Sequence, residues 1–170
     1  MIRDESYNLN MKHFCIVISF FLLALLSHSK EYVIESQGKR LIIKEHIYSN
    51  KDNFKVFRLE GTFKDNAGNF GEFNSIVSVN TIKNAIESLK ASNEFIFNEN
   101  VKAFNIAKRK NNELSQGVGS WYFTYASQSI NAIIKSECIY SISYYKDNYL
   151  VLAKCNIPEK AFEQIKNINQ

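Results

Sequence analysis

Phe54-Lys-Val-Phe-Arg-Leu-Glu-Gly-Thr-Phe63, Asp65-Asn-Ala-Gly68 and Phe70-Gly-Glu-Phe-Asn-Ser-Ile-Val-Ser-Val79 together decide the fold. Two runs rich in aromatic and β-branched residues flank a cluster of turn formers, the signature of a β-hairpin. A four-residue loop over 65–68 predicts that Phe63 faces Phe70, Phe57 faces Ile76 and Val56 faces Val77. One sheet face then carries Phe57, Leu59, Phe63, Phe70 and Ile76, and the other carries Phe54, Val56, Phe73, Val77 and Val79. A sheet with one wet face alternates apolar and polar residues. Two apolar faces instead predict a small barrel with a lined interior and a covered or self-associating exterior.

Working outward, the same punctuated pattern continues in both directions. Lys39 to Tyr48, Glu94 to Phe97, Val101 to Lys108 and Gly117 to Ala126 read as strands. Residues 81–92 fit two templates, because Ile82, Ala85, Ile86 and Leu89 keep helical spacing inside a strand-rich region. Pro158 to Ile168 reads as a terminal helix, with proline in its first turn and Phe162, Ile165 and Ile168 on one side. The expected fold is all-β: a small antiparallel up-and-down barrel of about eight strands with a short C-terminal helix.

The last hairpin, Glu137 to Tyr144 and Tyr149 to Asn156, tests compartment as well as fold. Residues 145–148 as its loop set Tyr144 against Tyr149, Ile142 against Val151, Tyr140 against Ala153 and Cys138 against Cys155. Two cysteines meeting across a hairpin predict a disulfide, which belongs to an oxidising compartment. The N-terminus points the same way. Met11-Lys-His13 leads into the apolar run Phe14 to Leu26 and then Ser27-His28-Ser29. A basic start, a short apolar run and small residues read as a secretory signal peptide rather than a span, which needs about 20 residues. The reading divides the chain into residues 1–29, an extension with cleaved signal, and 30–170, a single barrel domain. Met11 is the expected start of translation. No cysteine follows the apolar run at a lipidation position, so an exported protein, periplasmic or secreted, is expected, with no stable membrane span after processing. The Asn-, Ile- and Lys-rich composition, without an Asn-x-Ser/Thr sequon, favours a bacterial source.

The chain carries 21 Lys and Arg against 17 Asp and Glu, a net charge of +4. That excess is modest, and one basic turn, Lys108-Arg109-Lys110, gives no second cluster for nucleic acid. Lys108-Arg109-Lys110 reads as a solvated loop. A Ser-His-Asp arrangement would have to use His46, with no nucleophile elbow in the chain. Glu60 and Glu72, near neighbours across the first hairpin, read as surface charges rather than a hydrolytic pair. No catalytic residue, metal site or cofactor is expected.

Trp121, Phe123 and Tyr125 alternate, so they are expected on one face, together with Gly117 and Gly119. Placed inside a barrel, the three aromatics become the candidate ligand-binding set, and the glycines leave space beside them.

Glu60-Gly-Thr-Phe-Lys-Asp-Asn-Ala-Gly-Asn-Phe-Gly71, Gly117-Val-Gly-Ser-Trp121 and the cysteine hairpin resemble segments of small exported bacterial β-barrels. These barrels are similar to the calycin-like allene oxide cyclase and dirigent group. The likeness covers residues 54–156. It implies an eight-stranded barrel, often oligomeric, and carries over no catalytic residue. The reading that follows is a binding module for a small apolar or planar ligand. The alternatives are a cofactor-free isomerase or cyclase and a structural or interaction protein with a filled barrel.

Overall fold

The computed structural model describes residues 29–48, 52–109 and 116–168. The signal peptide expected at the N-terminus lies outside the described residues, apart from Ser29. Eight antiparallel strands follow one another: β1 (Ser29–Ile47), β2 (Asn53–Asp65), β3 (Phe70–Ile82), β4 (Ala85–Asn98), β5 (Val101–Arg109), β6 (Gln116–Ala126), β7 (Glu137–Tyr145) and β8 (Asn148–Pro158). Each pairs with its sequence neighbour, and β1 pairs with β8, so the sheet closes into an up-and-down barrel. A 3-10 segment (Gln128–Ile133) joins β6 to β7, and one helix, α1 (Glu159–Lys166), follows β8. Among the described residues no helix is long and apolar enough to cross a membrane.

Residues 81–92 are the end of β3 and the start of β4, joined by a turn at Lys83 and Asn84. Lys83 and Asn84 both hold positive φ, 52° and 66°, the two-residue turn whose twist matches an antiparallel hairpin. That turn makes β3 and β4 continuous neighbours, and the helical spacing of Ile86 and Leu89 is overridden by sheet pairing. β1 is longer than expected, because Tyr32, Ile34 and Ser36 alternate inward ahead of Lys39.

The β2–β3 register differs from the expected one by one residue. Phe63 lies opposite Gly71, Phe57 opposite Val77 and Val56 opposite Ser78. The loop is the cause. The Asp65 amide donates to the Asn69 carbonyl at 3.0 Å, leaving three residues in the turn, with Gly68 at φ +96°. A three-residue turn ending in a left-handed glycine is a standard bulged hairpin. Because side chains alternate, the one-residue shift turns all of β3 over. Phe73, Val77 and Val79 join Phe57, Leu59 and Phe63 inside, while Phe70 and Ile76 face out. The β7–β8 hairpin keeps the expected register throughout, and Cys138 and Cys155 form a disulfide with Cα atoms 4.0 Å apart.

Phenylalanines fill the centre of the barrel. Phe95 is fully buried, with Phe63, Phe73, Trp121 and Phe123 ring centroids 5.0–6.2 Å away. On the wall, Gly38 lies opposite Gly61, and a Cβ on either would strike the backbone of the facing strand. Only glycine permits that approach of β1 to β2.

One end of the barrel is plugged. Ile130 and Ile133 of the 3-10 segment and Ala161 and Ile165 of α1 are buried against it. Phe162 meets Tyr32 edge to face at 6.4 Å. A polar latch ties the pieces together. The Tyr32 hydroxyl donates to Asp65 Oδ2 at 2.7 Å, the amides of Ala67 and Asn69 donate to Oδ1, and the Asn69 side-chain amide donates to the Ile165 carbonyl at 3.2 Å. At the other end β1 continues past its last β8 partner, Lys39 opposite Asn148, with only β2 beside it among the described residues.

Candidate functional site

A cavity of about 30 Å³ lies inside the barrel, in the half away from the plug. Small side chains open it. Ala91 of β4 and Ala107 of β5 are direct cross-strand partners, and Ser75 of β3 lies nearby, so three inward positions supply almost no volume. Leu59, Phe73, Val77 and Val151 give the cavity an apolar wall. Trp121, Tyr140, Tyr144, Asn93 and Arg109 supply its polar groups.

Arg109 corrects the sequence reading. It was expected in a solvated basic turn, yet it ends β5 and is only 3 % exposed. The alternation Val101, Ala103, Asn105, Ala107, Arg109 carries it inward, and that count was available in the sequence. Burial pulls the guanidinium below its ordinary pKa, and the neighbouring Tyr140 and Tyr144 act in the opposite direction. An arginine still remains a cation at neutral pH. Burial raises the Tyr140 phenol and pushes Tyr144 up to about 12, against the pull of Arg109 on both. The two hydroxyls therefore stay protonated and able to donate. Arg40 lies at this end of the barrel, its guanidinium 4.9 Å from the Tyr144 ring centroid and its Nη2 donating to the Lys146 carbonyl.

The three candidate ligand residues separate. Trp121 and Phe123 point into the barrel and are buried. Tyr125 points outward, 58 % exposed, with its ring 5.8 Å from Phe104. The expectation that all three share a face fails because β6 carries an extra residue there. Phe123 lies opposite Asn105 and Tyr125 opposite Phe104, with Thr124 between them. A bulge of this kind advances one strand by two residues against one and breaks the alternation. The space expected beside Gly119 is also occupied, since a Cβ on Gly119 would lie 2.6 Å from the Tyr140 ring. That ring stacks on Trp121 at 5.2 Å and 17°, while Phe95 covers the indole from another direction.

Other side chains weighed for chemistry lie elsewhere. His46 is exposed on the projecting end of β1. Glu60 pairs with Arg58 on the outer surface, and Glu72 is exposed there. Among the described residues, no Asp, Glu or His lines the cavity. Cys138 and Cys155 face inward, Cys138 beside Trp121 on β6 and Cys155 beside Tyr32 on β1.

The polar inventory of the cavity is uneven. Asn93 Nδ2 donates to its cross-strand partner Asn105 Oδ1 at 2.6 Å. Among the described residues, Ser75 Oγ and Trp121 Nε1 are buried without a hydrogen-bond partner. Buried polar groups are nearly always paired with protein or with something bound. Comparison with family models, characterised proteins and solved structures returns no match for this chain.

Proposed function

We propose that the protein is an exported binding module that holds a small ligand inside its barrel, in the cavity between Trp121 and the arginine-bearing end. The observation that carries this reading is the pair of unpartnered buried polar atoms, Ser75 Oγ and Trp121 Nε1, on one cavity. Each such atom costs about 1–3 kcal/mol while it lacks a partner, and these two share one cavity, where a bound group could serve both. The volume sets the ligand size. A water needs roughly 10–15 Å³, so the space suits about two to four non-hydrogen atoms. A planar ligand the size of an indole would enter only if Tyr140 left the face of Trp121. Export rests on the Met11 to Ser29 pattern and is consistent with the Cys138–Cys155 disulfide. The likeness to the allene oxide cyclase and dirigent barrels belongs to this proposal and supports the architecture rather than a chemistry.

Native mass spectrometry of the purified protein tests the reading, together with Trp121 emission during titration with small polar, small aromatic and fatty-acid ligands. Small ligands are expected to change the emission and fatty acids to leave it unaltered. A second reading, the filled structural barrel, is favoured by the Tyr140 ring lying where Gly119 leaves room. It predicts an emission that no ligand changes.

A further inference from the structure

The outer wall of the barrel divides into a charged part and an uncharged one. Over β2 to β5 the outward residues carry surface ion pairs, Arg58 with Glu60, Lys64 with Glu35 of β1, and Lys102 with Glu94. On the other side, Val118 of β6, Ile139, Ser141 and Ser143 of β7, and Leu150 and Leu152 of β8 all face outward with no charge among them. The four large ones are between 41 % and 67 % exposed. The small serines leave a shallow depression of about 690 Å³ beside Val118, Ile139 and Leu152. A contiguous apolar strip on an exposed face marks an interaction surface, and charge is depleted where an interface excludes water.

We propose that this face binds a second copy of the chain, across a two-fold axis that runs between β7 and β8 and parallel to them. The register of the hairpin makes the surface complementary to itself. Ser141 lies opposite Leu152, and Ser143 opposite Leu150. Such an axis keeps heights and exchanges strands, so the partner's Leu152 settles over Ser141 and the partner's Leu150 over Ser143. Each copy offers two large side chains on β8 and two small ones on β7 to receive them, the interdigitation by which stacked sheets pack. The same operation sets the partner's Lys154 over Ile139, because Ile139 and Lys154 are opposed in the hairpin. The lysine stem covers Ile139, and its ammonium reaches towards Glu137, two residues along β7. Within its own chain Lys154 makes an exposed pair with Glu31 at 3.6 Å, a contact weak enough to exchange. Size matches at one end of the strip and charge at the other. Three strands about 4.8 Å apart and three outward rows about 6.8 Å apart span roughly 300 Å² per copy, the scale of a transient contact rather than an obligate dimer. The internal cavity plays no part in it.

Sedimentation of the oxidised protein is the test. Its weight-average mass is expected to rise from one chain towards two between about 10 µM and about 1 mM, the range of a small transient interface. Leu152→Glu is expected to hold the protein monomeric throughout. Should that variant not fold, Ser141→Lys, which fills the receiving position with a charge, is expected to do the same. Ile76→Glu, at a similarly exposed apolar position on β3, is expected to leave the dimer intact. Mixing Ser141→Cys protein with Leu152→Cys protein under mild oxidation is expected to give the mixed cross-linked dimer in excess of random pairing. A monomer across the whole range overturns the proposal, even where the face then binds lipid vesicles or another protein. A dimer that survives Leu152→Glu, or that Ile76→Glu dissolves as readily, overturns it too. Cross-linking no better than random rejects the axis between β7 and β8 and the proposal with it.

Discussion

The two ends of the barrel bury tyrosines in opposite ways. At the plugged end Tyr32 is fully buried and its hydroxyl is satisfied by Asp65, which is held in turn by the β2–β3 turn and Asn69. At the other end Tyr140 and Tyr144 lie beside Arg109 and Arg40, with unpartnered donors close by. The first arrangement is complete in itself and serves stability. The second leaves Ser75 Oγ and Trp121 Nε1 without a partner among the described residues, and the proposed binding role rests on those two atoms. Burial alone does not distinguish a structural polar group from a functional one; the completeness of its partners does.

The largest effects should come from breaking the plug. Ile133→Ala or Ile165→Ala removes a fully buried side chain and should cost about 2–5 kcal/mol in urea unfolding. A loss below about 1 kcal/mol would mean the plug is not part of the cooperative core. Next is the disulfide, which staples β7 to β8. Cys138→Ser should cost about 2–4 kcal/mol, and titration of the unfolded, unreduced protein should find neither Cys138 nor Cys155 as a free thiol.

Asp65→Ala should cost about 2 kcal/mol, because it strands the Tyr32 hydroxyl and two turn amides together. Ser75→Ala gives the sharpest contrast. It removes an unpartnered hydroxyl, so stability should stay within about 1 kcal/mol of the parent or rise. A loss as large as that of Asp65→Ala would erase the distinction between the ends.

Alkaline pH probes both ends at once. Burial raises the pKa of Tyr32, Tyr140, Tyr144 and Tyr149, with Tyr144 at about 12 against an ordinary value of 10.0. The folded state therefore holds these protons more tightly than the unfolded chain. That contribution is fully present below pH 10 and is lost as pH rises from about 10 through 12. Tyrosinate absorbance should show the hydroxyls of Tyr32, Tyr140, Tyr144 and Tyr149 ionising only as the protein unfolds. Simple titration of all tyrosines near 10 would contradict the burial.

Much of the architecture was legible in the sequence, and the two hairpins show where legibility stops. In β7–β8 the loop over 145–148 and the apolar match of Tyr140 and Ile142 with Ala153 and Val151 agree on one register. In β2–β3 both faces were apolar enough to accept two registers, and the choice fell to whether Asn69 belonged to the turn or to the strand. The 3-10 plug was unreadable, since Gln128 to Ile133 has neither strand alternation nor a full helical repeat. The site was half legible. Trp121 and Phe123 were placed inside by period two, whereas the bulge at Thr124 has no local signature in the sequence. Arg109 was missed by grouping it with the lysines beside it rather than counting along β5.

The barrel is sealed by its two ends, Ser29 of β1 lying beside Pro158 of β8. Closure therefore waits for nearly the whole chain to be made, and the loop entropy of that step makes it a late and slow event in folding. The disulfide spans a sequence separation of only 17, so it can form within its own hairpin long before closure. Once oxidised, that hairpin holds β8 rigid as the edge on which β1 docks. Reoxidation before refolding should accordingly shorten the slow phase, and refolding under reducing conditions should lengthen it.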